Sequence, residues 1–158
     1  MTCKYQGCTS LNSITIPNSV EDIDRWAFSG CTNLITIIIG SGIKKIDHYA
    51  FSNCKSLNDF YCYAENVPST DFEAFGYTNY VKATLHIPSA SIAEYRIKSP
   101  WNIFKSIVAL TDNDPLPNSI NVVNGASYKT DVYYGLSGRK VRDPKKGIYI
   151  TNGTKIIR

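Results

Sequence analysis

Leu11-Asn12-Ser13-Ile14-Thr15-Ile16-Pro17 returns as Leu34-Ile35-Thr36-Ile37-Ile38-Ile39-Gly40, and again as Leu57-Asn58-Asp59-Phe60-Tyr61-Cys62-Tyr63. Cys8, Cys31 and Cys54 keep the same interval (31 − 8 = 54 − 31 = 23), as do Ile23 with Ile46 and Ala27-Phe28 with Ala50-Phe51. A unit this short cannot bury its own apolar face and must stack on its neighbours, which makes the chain a solenoid. Within a unit, Ile14 and Ile16 alternate with Ser13 and Thr15, the pattern of a short half-buried strand. Pro17-Asn18-Ser19 closes that strand, and Gly40 and Gly42 stand at the equivalent turn of the next unit. The return segment through Ile23-Asp24-Arg25-Trp26-Ala27-Phe28 carries apolar residues at mixed spacing. It is expected to form short helical or extended turns on the convex side, with Val20 and Ile23 inward.

Working outward, the third strand is followed by a stretch in which the period fails, so residues 64–82 read as an insertion that lengthens the return segment. Ala83-Thr84-Leu85-His86-Ile87-Pro88 restores the pattern as a fourth strand. Ser89 is placed to N-cap a helix running to Ile97, with Ile92 and Tyr95 or Arg96 on one face. Trp101, Phe104, Ile107 and Val108 then supply large apolar side chains to seal the end of the stack, which otherwise exposes core and strand edges. The division that follows is a solenoid over 1–110 with its cap at about 83–110, a Pro/Asp/Asn-rich linker over 111–118, and a small β-hairpin or sandwich domain over 119–158. In that last part Ser137-Gly138-Arg139 and Asn152-Gly153 are turn signals between alternating runs. The start of the chain enters a unit part-way, so its open N-terminal repeat could stack on a second copy.

Charge divides the same way. Residues 1–117 hold nine Lys/Arg against eleven Asp/Glu and residues 118–158 eight against two, so the net moves from −2 to +6. The basic tail lacks the interleaved stacking aromatics of a nucleic-acid surface, and solubility or an acidic partner explains it more simply. No apolar run is long enough to span a bilayer, and the N-terminus lacks the basic, apolar, small-residue order of a signal peptide.

Chemistry is sparse. Cys3/Cys8 is too loosely spaced for a zinc pair, and one solenoid turn separates Cys8, Cys31 and Cys54, so these thiols should stack at about the 4.8 Å strand spacing as small buried hydrophobes. With two histidines, no G-x-S-x-G, H-E-x-x-H or P-loop, and no complete calcium loop at Asp22/Asp24, the chain offers no enzyme site, metal site or cofactor site. His48, beside Asp47, reads as a solvated surface residue, and Asp24 and Asp47 as acceptors for turn amides.

The open face of the strands is more informative. Outward positions form two columns, Ser13, Thr36, Asp59 and Thr84, and beside them Thr15, Ile38, Tyr61 and His86. With Tyr63 at the strand end, the second column grows apolar and aromatic, and exposed patches of that kind are commonly interfaces. Ile38, Asp59, Tyr61, Tyr63 and His86 are therefore the candidate ligand-binding residues, unless the tail or the 64–82 segment covers them.

A period in the low twenties with an L-x-x-I-x-I core is the pattern of leucine-rich repeats. Gly30-Cys31-Thr32-Asn33-Leu34, Ile14-Thr15-Ile16-Pro17-Asn18-Ser19-Val20 and Ala27-Phe28 resemble the BspA-like leucine-rich repeats of bacterial surface proteins. The stretch from Thr84 to Pro88, with Tyr95, Trp101, Phe104 and Ile107, looks like the cap of such proteins. Over 132–158, Val132-Tyr133-Tyr134, Gly138-Arg139-Lys140-Val141 and Gly147-Ile148-Tyr149-Ile150 look like the C-terminal sorting-type domain of secreted Bacteroides-group proteins, though Gly135 stands where that pattern has Asp. The resemblance implies a β-rich α/β right-handed superhelix with short strands and short convex helical turns. It also implies a non-enzymatic extracellular or outer-membrane protein of adhesion type, whose sheet binds a host or matrix protein. Assembly by stacking between chains, or carbohydrate binding through tyrosines, are the alternatives.

Overall fold

A computed structural model describes residues 6–117 and four short strands beyond them. Five parallel strands form the main sheet: β1 Ser13–Ile16, β3 Thr36–Ile39, β5 Asp59–Cys62, β7 Thr84–Ile87 and β8 Ser106–Ala109, side by side in that order. The register follows the repeat: Ile14 pairs with Ile37, Ile37 with Phe60, Phe60 with Leu85 and Leu85 with Ile107. Equivalent side chains thus lie on top of one another, and a one-residue slip would turn every inward residue out.

The convex side is not helical. Two-residue strands β2 Asp22–Ile23, β4 Lys45–Ile46 and β6 Ser69–Thr70 form a second parallel sheet, and turns follow each of them. Along each turn the amides alternate between their own unit and the next: Ala27 N–H donates to Asp24 O at 3.2 Å, whereas Phe28 N–H donates to Ala50 O and Phe51 N–H to Ala74 O, both at 2.8 Å. Trp26, Tyr49, Asn53 and Tyr77 have positive φ, as do Gly7 and Gly30, and a residue in the left-handed region ends any right-handed helix. Those ladders and that backbone are why the expected helical turns do not form. The only α-helix among the described residues, α1 Ile92–Ile97, belongs to the cap.

The period does not fail after Tyr63 either. Lys45 pairs with Ser69 (69 − 45 = 24) and Asp59 with Thr84 (84 − 59 = 25), so the third unit is longer by one residue before β6 and by one more before β7. Ala74-Phe75 takes the place of Ala50-Phe51, and Thr78 that of Cys54, whose amide donates to the Thr78 hydroxyl at 3.2 Å. The supposed insertion is a complete return segment.

Gly40 and Gly42 answer to a neighbour rather than to their own dihedrals. A Cβ on Gly42 would run into the Asn18 carbonyl oxygen and one on Gly40 into the Asn18 backbone and side chain, while Asn18 Oδ1 accepts the Ser41 N–H at 2.9 Å.

The interior is aliphatic at the N-terminal side and aromatic towards the cap. Leu34, Ile37, Ile39 and Ile46 are fully buried, then Phe51, Phe60 and Phe75, then Tyr95 and Trp101. Phe60 meets Phe51, Phe75, Trp101 and Phe104 edge-on at centroid distances of 5.6, 5.6, 5.7 and 5.9 Å. Edge-to-face pairs of this kind contribute about 0.5–1.5 kcal/mol each beyond burial. Trp101 Nε1 donates to Thr70 Oγ1 at 3.1 Å, and Tyr95 Oη donates to Ala64 O at 3.1 Å, which fixes the cap on the third unit. Cys31 and Cys54 are buried in a column with half-buried Cys8, none of the three in a disulfide. Burial raises the Cys31 thiol and pushes that of Cys54 up to about 12, so neither ionises near neutrality.

Details of the cap depart from expectation. Ser89 opens a 3-10 turn, Ser89–Ser91, instead of capping α1, and the Ser91 hydroxyl donates to Glu65 O at 2.6 Å. Ile107 packs against the core, but Val108 is 38 % exposed because β8 is a fifth strand whose alternate residues face out. The alternation of Ser106-Ile107-Val108-Ala109, which matches Thr84-Leu85-His86-Ile87, carried that information.

Beyond residue 117, β9 Tyr133–Gly135, β10 Lys140–Val141, β11 Ile148–Thr151 and β12 Thr154–Ile157 pair antiparallel in the order β10-β9-β11-β12. The turns expected at Ser137-Gly138-Arg139 and Asn152-Gly153 lie outside the described residues, as does Cys3.

Candidate functional site

Because the outward residues of a parallel sheet stack in register, the two predicted columns are real. Ser13, Thr36, Asp59, Thr84 and Ser106 form one, and Thr15, Ile38, Tyr61, His86 and Val108 the other. Three predicted residues meet in one cluster. His86 Nε2 is 3.1 Å from Asp59 Oδ1 across the columns, and its ring stacks on Tyr61 at a centroid distance of 4.2 Å and an angle of 20°. Asn58 Nδ2 donates to Asp59 Oδ2 at 2.7 Å, so both carboxylate oxygens are engaged and the acid is held at the sheet surface. Tyr61, Tyr63, Asp59 and His86 are each partly exposed.

Ile38 does not belong to this surface. It is only 1 % exposed, yet it lies outside the interior cluster, so it is closed over on the outer face. It sits between Thr15 and Tyr61 in the middle of the column. The chain leaving β8 comes back to the end of β5. Asp114 Oδ2 accepts the Thr111 N–H at 2.7 Å and turns the chain, and Tyr63 Oη then donates to Pro115 O at 2.9 Å. Residues 111–117 thus form a strap across the end of the face instead of a free linker. Burial, then the nearby Asp114 and Tyr61, pushes the Tyr63 hydroxyl up to about 12. Burial, with Asp59 and Asp114 behind it, also raises Tyr61. The pairing of aspartates with proline in this stretch reads as linker composition, and only the Tyr63 contact reveals what it does.

Among the described residues no three His, Cys, Asp or Glu side chains converge as metal ligands. The cluster is a partly aromatic surface with one fixed acid and one imidazole.

On the convex side, His48 is held rather than solvated. Its Nδ1 is 3.0 Å from Asp71 Oδ1, its Nε2 3.4 Å from Glu73 Oε2, and its ring lies 4.0 Å from that of Tyr49. Both acids come from the return segment of the third unit. Asp47 accepts the His48 amide at 2.8 Å, as expected of a turn acid, and that bond together with Lys45 lowers its carboxyl below the ordinary range.

The profile of the BspA type Leucine rich repeat region matches the chain in six copies over residues 2–105, well over half its length. The chain is a member of the BspA-type leucine-rich-repeat family. No curated protein matches it. Leucine-rich repeats of this type are generally protein-interaction modules and generally not enzymes. No helix among the described residues of this BspA-type chain is long and apolar enough to cross a membrane.

Proposed function

We propose that this protein is a surface-displayed or secreted adhesion module that binds a host or matrix protein through the outer face of its main sheet. The observation that carries the reading is the Tyr61–His86–Asp59 cluster: two stacked rings and a fixed acid held in register by two parallel strands, β5 and β7. Such rigid amphipathic side chains give contact area at small entropic cost and are enriched where binding energy concentrates. Export is supported by the resemblance to bacterial surface proteins, and residues 119–158 fit a separate small domain of sorting type following the solenoid.

The test is binding of the full chain to immobilised matrix proteins. Tyr61→Ala combined with His86→Ala should weaken the interaction by about tenfold or more, since central aromatic contacts contribute on the order of 2 kcal/mol. Circular dichroism of the variant should be unchanged. Unaltered binding by a folded double variant would remove the sheet face as the site. Ile38→Ser is unsuitable here, because it would cut into a buried position.

A second reading has its own support. Cys8, Leu11, Ile14 and Val20 are half-exposed although their equivalents Cys31, Leu34, Ile37 and Ile43 are buried, and β1 is an edge of the sheet. That end is shaped to receive another repeat, so chains could stack. Sedimentation at rising concentration separates the two, a strictly monomeric chain excluding the stacking role.

A further inference from the structure

The opposite edge of the main sheet carries a different surface. Leu110 N–H donates to Ile87 O at 2.8 Å. Main-chain groups of alternate residues point to opposite sides of a strand, so Ser106 and Val108, in phase with Leu110, face β7, and Ile107 and Ala109 direct their N–H and C=O groups away from it. Among the described residues no strand pairs with that side of β8. Beside it lies an open groove of about 480 Å³, lined by Arg96 of α1 and by Asn102, Phe104, Lys105, Ser106 and Ile107. Arg96 and Lys105 are exposed and have no ion-pair partner among the described residues. Glu94, the acid on the same helix, is instead paired with Lys98 at 3.6 Å.

We propose that the open edge of β8 takes an extended acidic segment of another protein as a sixth strand, with its carboxylates on Arg96 and Lys105. An unpaired edge supplies main-chain bonds to any extended peptide, and the side chains along the groove set which peptide is accepted. Here the lining holds two cations and no acid, so the selected peptide is anionic. A second copy of this chain fits poorly. Its own solenoid edges read Ser13-Ile14-Thr15-Ile16 and Ser106-Ile107-Val108-Ala109, without a carboxylate, and the chain's net charge is +4. A nucleic acid would satisfy the cations but leave the strand edge unused. This site lies at the end of the stack and is separate from the Tyr61–His86 face.

The probe is a fluorescein-labelled peptide of about eight residues alternating valine and glutamate, long enough to span a strand of common length, titrated against the full chain by anisotropy. Two controls divide the possible sources of binding. Methylation of alternate backbone nitrogens removes the donors a strand needs while leaving charge intact. Arg96→Glu with Lys105→Glu reverses the groove while leaving the basic residues after 117 untouched. The expected result is saturable binding that each change weakens by about tenfold or more, with a shallower salt dependence for the charge-reversed variant. Equal binding of the methylated peptide, equal binding by the reversed variant, or no binding of the parent peptide would each overturn the proposal. The methylated peptide needs no altered protein, so misfolding of a variant does not cloud the outcome.

Discussion

Tyr77 shows how strongly position governs residue choice in this stack. It occupies the left-handed site held by Gly7, Gly30 and Asn53 in the other units, with φ of 57°, and its side chain is 83 % exposed. An L side chain in that region costs about 1–2 kcal/mol, less where Asn bonds locally, so Tyr77→Asn should raise stability by roughly 0.5–1 kcal/mol in urea unfolding. Gly42→Ala should act the other way, costing about 1–3 kcal/mol, because the new methyl meets the Asn18 carbonyl in a packed turn. Titration behaviour follows from the buried thiols and hydroxyls. Cys54 rises from 9.0 to about 12, and Tyr63 from 10.0 to about 12, on folding. Between those values the unfolded chain has lost protons that the folded chain keeps, so stability is fully present below about pH 9 and falls as pH climbs towards 12. Urea midpoints measured in reductant should decline across that window, and Cys54→Ala should flatten the early part of the decline.

Single elements show where a repeat can be read from its residues and where it cannot. The first two units, with an unbroken 23-residue spacing, gave up their strands, their register and both outward columns directly. The third unit hides its period because one added residue before β6 shifts Ala74-Phe75 off the 23-residue spacing and a second before β7 shifts the strand again, although the dipeptide itself repeats Ala27-Phe28 and Ala50-Phe51. Its restoration yields a sharp contrast between neighbours. Phe75 is buried against Phe51, Phe60, Trp101 and Phe104, whereas Phe72 is 73 % exposed. Phe75→Ala should cost about 3–5 kcal/mol. Phe72→Ala should stay within about 0.5 kcal/mol, and thermal melts of the pair will decide it. The candidate site was legible where it depends on register, as with Asp59, Tyr61 and His86. It was not legible at Ile38, where strict alternation places the side chain on the outer face although the structure buries it. Nor could local pattern foretell the non-helical convex turns, in which every second backbone bond runs between units.

Across the whole molecule the packing is graded. The interconnected aromatic cluster runs from Phe28 to Phe104 and is densest around Phe60, whereas the first strand and its turn bury Ile16 and Ile23 but leave Leu11, Ile14 and Val20 half-buried. Stability in a solenoid is roughly a sum of unit and interface contributions, so local opening should start at the end with the weaker interface. Amide exchange should therefore be fastest at β1 and β2, intermediate at β3 and slowest at β5 and β7. Uniform protection from β1 to β7 would contradict that gradient. The same grading has a consequence for synthesis. The ribosome releases the aliphatic units first and the aromatic keystones, Trp101 and Phe104, last, so the emerging polypeptide lacks its strongest internal contacts until the cap is out. Nascent chains halted before residue 101 should remain sensitive to protease, and those long enough to free residue 104 from the exit tunnel should become resistant together.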